Sequence, residues 1–133
     1  MRVKKYVIDL PPVAWKRVER SGRGANAHFY DGQTQIKTMY GLKLIKAHAN
    51  EPIWACPVDM EMIFFMPMPK TNRKLGGVPC IGRSDLDNLC KFLLDTAVDA
   101  EVLQDDNIVC SMSAKKLYDK EPRIEFILTE III

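Results

Sequence analysis

Asp85, Asp87, Lys91, Asp105 and Asp106 are of the types and at the spacing that could do chemistry together. The first three lie in "RSDLDNLCKFLLD", Arg83 to Asp95. Two carboxylates stand one residue apart there, and a lysine follows at the fourth position after the second. The adjacent pair comes about twenty residues on, in "QDD". Carboxylates so placed suit a hard cation such as Mg²⁺, which takes oxygen ligands and is held by one or two carboxylates, waters and substrate phosphate. A metal of this kind serves phosphodiester cleavage: it orients hydroxide, neutralises charge on the phosphoryl oxygens and helps the leaving oxygen depart. A lysine at the rim adds positive charge for the transition state.

The same residues have a plainer use. Acids at a helix start are stabilised by the exposed backbone N–H groups, by about 0.3–1 kcal/mol. Ser84 or Asp85 can cap the helix, and an Asp87–Lys91 ion pair adds about 0.2–0.5 kcal/mol. Turns favour aspartate, so Asp105 and Asp106 also have a structural use. The second pair nevertheless supplies a further ligand that a cap does not need. From spacing alone, Asp105 and Asp106 are equal candidates for it.

The elements that must position these residues follow from periodicity. Leu86, Leu89, Cys90, Leu93 and Ala97 fall on one helical face, with Asp87, Lys91 and Asp95 on a separate polar stripe. "RVKKYVIDL" predicts a strand ended by Pro11 and Pro12. "VAWKRVERSGRGANAHFY" reads as a long loop. A helix is predicted over 31–50, with Ile36, Met39, Tyr40, Leu44 and Ala47 at helical spacing and Asp31 at its start. Val58 to Phe65 alternates as a strand. Residues 67–84 form a long basic loop, of a length that in a compact domain is either functional or disordered. "IVCSMSAKKLYD" and "PRIEFILTEIII" predict a terminal hairpin. The expected fold is α+β, one domain over residues 1–133 in the order β-α-β-α-β-β, a small mixed sheet with helices on one face. A helix from about Leu86 to Ala97 is about 18 Å long. The nine steps on to Asp106 reach at most about 30 Å. The acids can therefore meet within one subunit, or a partner subunit can complete the set.

Bulk composition sets the frame. The chain of 133 residues is 47% hydrophobic and 27% charged, with a net charge of +2. It has no apolar run long enough for a membrane span. The apolar run after the charged start is too short for a signal peptide, so a cytoplasmic protein is expected. Cys56, Cys80, Cys90 and Cys110 include no CxxC pair, which points to free thiols rather than a zinc site. Basic residues gather at Lys16, Arg17, Arg20 and Arg23, at Lys70, Arg73, Lys74 and Arg83, and at Lys115 and Lys116. Basic loops around an acidic centre suit a polyanion that meets a metal. Arg17, Arg20, Arg23, Lys70, Arg73, Lys74 and Arg83 are the candidate phosphate contacts, which position a nucleic acid without reading its sequence. Phe29 and Tyr30 could stack on an opened base, though core packing is the plainer reading. His28 and His48 stand alone, with no role expected.

"RSDLDNLCKFLLDTAVDAEVLQDDNIV" resembles the RusA family of Holliday-junction resolvases. The D-x-D-N-x-x-K helix start is Asp85, Asp87, Asn88 and Lys91. The acid near the helix end is Asp95, and the D-D pair before a strand is Asp105 and Asp106. "IDLPP", "FFMPMP" and the run after D-D resemble the family's other strands. The resemblance covers most of the chain and is specific from Arg83 to Ile127. It implies that Asp85, Asp87 and Asp106 are the essential carboxylates and Mg²⁺ ligands, that Lys91 is the essential lysine, and that Asp105 supports them. It implies a homodimer that cuts four-way DNA in recombination and repair, with no membrane and no organic cofactor. A junction is pseudo-two-fold and is cut in two opposed strands, which a C2 dimer matches. A branched-DNA or flap nuclease on the same site, and a non-catalytic DNA-binding protein, are the alternative readings.

Overall fold

A computed structural model describes residues 1–16, 19–21, 28–30 and 32–133, with 19–21 and 28–30 described by their backbone. The elements run β1 (Val3–Ile8), β2 (Glu19–Ser21), β3 (His28–Tyr30), α1 (Thr34–His48), β4 (Val58–Pro67), α2 (Leu86–Asp99), a 3-10 turn (Asp106–Ile108), β5 (Val109–Asp119) and β6 (Arg123–Glu130). The main sheet has the order β1-β6-β4-β5. Only β4 and β5 are parallel; the other two pairings are antiparallel. The expected α+β fold, with two helices and four main strands in that chain order, is what forms.

Alternation places the core. On β4, Val58, Met60, Met62, Phe64 and Met66 are buried, and on β6 so are Ile124, Phe126 and Leu128. Tyr6 and Ile8 of β1 complete the sheet's buried face. Tyr40 and Leu44 of α1, with Leu89, Phe92, Leu93 and Ala97 of α2, close over it. The ring of Tyr40 meets Phe92 edge to face with centroids 5.0 Å apart, which fixes one helix against the other. Full burial of one such side chain contributes about 1.5–3 kcal/mol. Leu86, expected on the buried face of α2, is only half-buried, and Met39 of α1 is exposed.

Two expectations are corrected. β5 and β6 do not form a hairpin, because β4 lies between them. The β4-α2-β5 crossover sets β5 parallel on one side of β4, so the returning chain pairs with the other side. The turn across is tied by Arg123, whose guanidinium donates to the Asp119 carboxylate at 3.3 Å and to the Glu121 carbonyl at 2.9 Å. Nor is 13–30 a plain loop. Val13, Ala14 and Trp15 pack on the core, and β2 pairs with β3 in a short ribbon. The helix expected over 31–50 starts at Thr34 with Gln33 in the cap position; Asp31, expected at its start, lies outside the described residues.

His48 has a part in the core. Trp54 Nε1–H donates to the Tyr6 hydroxyl at 3.0 Å, and that hydroxyl meets His48 Nδ1 at 2.7 Å. The Tyr6 hydroxyl thus links Trp54 and His48 in one buried polar chain. Trp54 also anchors the chain beyond α2. Its N–H donates to the Val102 carbonyl, and Gln104 N–H donates to the Trp54 carbonyl, both at 2.9 Å. Among the described residues, no helix is long and apolar enough to cross a membrane.

Candidate metal centre and nucleic-acid interface

The two acidic pairs sit at opposite ends of α2. Because α2 runs back along β4 and β5, Asp85, Asp87 and the basic 67–84 loop lie at the carboxyl ends of these two parallel strands. That is the end at which open α/β sheets bind ligands. Asp105 and Asp106 lie at the amino end of β5.

At the first end, Asp85 occupies the N-cap position with extended φ −67° and ψ 138°. Its carbonyl accepts the Leu89 N–H at 3.1 Å, but its carboxylate makes no capping bond. Asp87 accepts the Asn88 N–H on Oδ1 at 2.9 Å. Both residues are exposed. Among the described residues neither acid makes an ion pair, so the anticipated Asp87–Lys91 bridge does not form. The Lys91 ammonium stands 3.7 Å from the centroid of the Trp15 ring instead. The structural duties that could have absorbed these groups are thus mostly unfilled.

The approach to α2 is held from below. Gly82 and Arg83 both take left-handed backbone, φ 79° and 62°, a conformation that costs an arginine about 1–2 kcal/mol. Lys116 of β5 holds the turn by donating its ammonium protons to the Gly82 and Ser84 carbonyls, each at 2.7 Å. Residues 77–80 lie along the end of β5, through Gly77 N–H to the Tyr118 carbonyl at 2.7 Å and Cys80 N–H to the Lys116 carbonyl at 3.0 Å. Lys70, Arg73, Lys74 and Arg83 are exposed on this segment, which leads straight into Asp85. Arg17 and Arg23 lie outside the described residues, and Arg20 is placed on β2 by its backbone alone. The side chains of His28, Phe29 and Tyr30 also lie outside what is described.

At the other end, the chain turns sharply after α2, with Val102 N–H donating to the Ala97 carbonyl at 3.0 Å. The Trp54 anchor then delivers Asp105 and Asp106 to an open recess of about 340 Å³, lined also by Lys37, Asp95, Val98 and Asp99. The Asn107 N–H bond, followed by one from Asp106, holds the Asp105 carboxyl below the usual range. The bond shared with Asp105 pushes Asp106 up, assisted by burial and by the charges of Asp105 and Asp95. Asp106 and Asp95 line the same recess. Asp95 is eight residues beyond Asp87, about 12 Å along a helix. Among the described residues of one chain, no three acids, histidines or cysteines gather as a metal-ligand set. The donor chemistry fits a hard cation, yet among the described residues of one chain three carboxylates do not close around one.

Sequence reasoning missed four contributors. Trp15 lay in an apparent loop, although "VAW" directly after Pro-Pro was a signal of packing. Lys116 belonged to a basic pair with nothing to mark its tie to Ser84. Lys37 of α1 and Asp99 at the end of α2 line the acidic recess, which forms only once the turn after α2 brings Asp105 and Asp106 beside them.

The family of endodeoxyribonuclease RusA matches residues 9–129, and the chain belongs to it. Its class of activity is therefore endodeoxyribonuclease, and the family implies a divalent metal and a branched DNA substrate. The chain is also similar to the uncharacterized protein YqaN of Bacillus subtilis (strain 168), 27% identical over 137 residues that cover 96% of each chain.

Proposed function

We propose that the protein is a Mg²⁺-dependent, structure-selective endonuclease of the cytoplasm that resolves four-way DNA junctions by paired phosphodiester cleavage in recombination and repair. The observation that carries this reading is the first turn of α2. Two exposed carboxylates, neither of them in an ion pair among the described residues and Asp85 with no capping bond, stand in the same helical turns as a lysine at the end of a basic loop. Asp85 and Asp87 would hold the metal with Asp106, supported by Asp105. Bound there, Mg²⁺ supplies charge neutralisation at the phosphoryl oxygens and a nucleophilic water. Lys91 brings a second positive charge to the developing oxyanion. Lys70, Arg73, Lys74 and Arg83 would take neighbouring phosphates and set the scissile one over the acids, with Arg17, Arg20 and Arg23 candidates for the same work.

The separation of Asp106 from Asp87 points to a homodimer in which each site is shared. β5 is the edge strand of the sheet. Among the described residues, its outer edge is paired only near Leu117. Cys110 and Met112 are exposed there, although Met112 pairs with the inward-facing Met60 and so points to the helix-covered side. An unpaired edge of this kind invites a second copy. Antiparallel pairing of two β5 strands about Met112 sets position 106 of one copy level with Tyr118 of the other, two residues from the Lys116 that grips Ser84. Each Asp106 then approaches the Asp85–Asp87 turn of the other copy, in the two-fold symmetry of a junction.

The test is cleavage of labelled four-way, flap and duplex DNA with Mg²⁺ or with EDTA. Metal-dependent cutting that favours the four-way junction is expected. Preference for the flap would indicate a branched-DNA nuclease, and binding without cutting a DNA-binding protein.

A further inference from the structure

We propose that Trp15 is the positioning residue for Lys91: its indole face holds the lysine ammonium over the first turns of α2, and the segment that carries Trp15 is a fixed strap. The ammonium lies 3.7 Å from the ring centroid, well inside the distance at which tryptophan, the best aromatic partner, attracts a cation. The strap is tied to both helices. Trp15 N–H donates to the Asn88 carbonyl at 2.9 Å, on the turn between Asp87 and Lys91. Lys16 N–H donates to Gln33 Oε1 at 2.9 Å, and Gln33 Nε2 donates to the Ala14 carbonyl at 2.8 Å. Gln33 is buried at the start of α1, so its amide clamps the backbone on either side of Trp15. The Tyr40 hydroxyl bonds the Pro11 carbonyl at the start of the strap.

This arrangement does what an ion pair with Asp87 would not. A carboxylate partner neutralises the lysine and spends a metal ligand. An aromatic face restrains the four-carbon stem while leaving the full charge and the N–H donors for a phosphoryl oxygen. The contact stands on the geometry alone; its consequence for rate rests on the nuclease reading.

Two measurements separate those layers. In ¹H–¹³C spectra, with Lys91 assigned by comparison with Lys91→Arg, the Lys91 ε-methylene protons should lie upfield through the ring current. Trp15→Leu should return them to the ordinary lysine position, and Trp15→Phe should keep part of the shift. On junction DNA, Trp15→Leu should lower kcat by about 3- to 30-fold, the scale of one cation–π contact, with KM changed by less than about two-fold. Trp15→Phe should recover most of that rate. In a Lys91→Met background, Trp15→Leu should cost nothing further in kcat. Unshifted Lys91 resonances in the wild type, or equal rate losses for Trp15→Leu with and without Lys91, would overturn the proposal. If Trp15→Leu does not fold, the wild-type shift and the Trp15→Phe rate still decide. If the wild type cuts no junction, the nuclease reading fails while the shift reports on the contact.

Discussion

A heterodimer of one Asp87→Asn chain and one Asp106→Asn chain should regain cleavage that both parent homodimers lack. Asp106 lines the same recess as Asp95, which stands about 12 Å along α2 from Asp87, whereas Mg²⁺ binds oxygens at about 2.0–2.1 Å. Among the described residues of one chain the three carboxylates do not gather as a ligand set, so the third ligand is taken from a second copy. With sites shared across a two-fold axis, one site of the heterodimer collects both substitutions. The other is built from the wild-type Asp106 of the Asp87→Asn chain and the wild-type Asp87 of the Asp106→Asn chain. Half the sites then work, about half the wild-type rate of nicking is expected, and paired cleavage of a junction is lost. The assay co-expresses the two chains with different affinity tags, isolates the mixed dimer by both tags, and follows nicked and resolved products of a labelled junction. A heterodimer as inactive as its parents would refute the shared site. An active Asp106→Asn homodimer would remove Asp106 from the ligand set.

Arg73→Ala should weaken junction binding and lower the slope of log affinity against log salt by about 1, the signature of one lost phosphate contact; titration at several salt concentrations measures it, and an unchanged slope places the DNA elsewhere. Burial, with the charges of Lys4 and Arg2, holds the His48 imidazole below the ordinary histidine value. Its stabilising effect is thus complete above about pH 6.5, the unfolded value, and is lost as pH falls through the folded one. Urea midpoints should therefore fall between about pH 7 and pH 5, before Glu51 and Glu125, which are held below the usual carboxylate range, begin to lose theirs. His48→Leu should flatten that interval, and an unchanged pH slope would show that His48 does not titrate there.

The helices and strands were legible because their patterns are local. Alternation from Val58 marked β4, and the spacing of Leu89, Cys90, Leu93 and Ala97 marked α2. Strand order was not legible, since no pattern in β5 or β6 says that β4 lies between them; that order follows from crossover geometry. The two acidic groups were visible as residue types, but their distance depends on how tightly the chain turns after Asp99, which the Trp54 anchor decides. Likewise the Lys91 spacing suggested Asp87 as its partner, and a ring from 76 positions earlier in the chain takes that place. Local spacing found the groups, and long-range contacts chose their neighbours.

The most direct test of the central claim compares wild type with Asp87→Asn on one labelled four-way junction in Mg²⁺, measuring binding and cutting separately. The variant should bind within about two-fold of wild type, because phosphate contacts dominate affinity, and should cut slower by about 100-fold or more. Equal cutting by the two proteins would contradict the assignment of the α2 carboxylates as the catalytic centre.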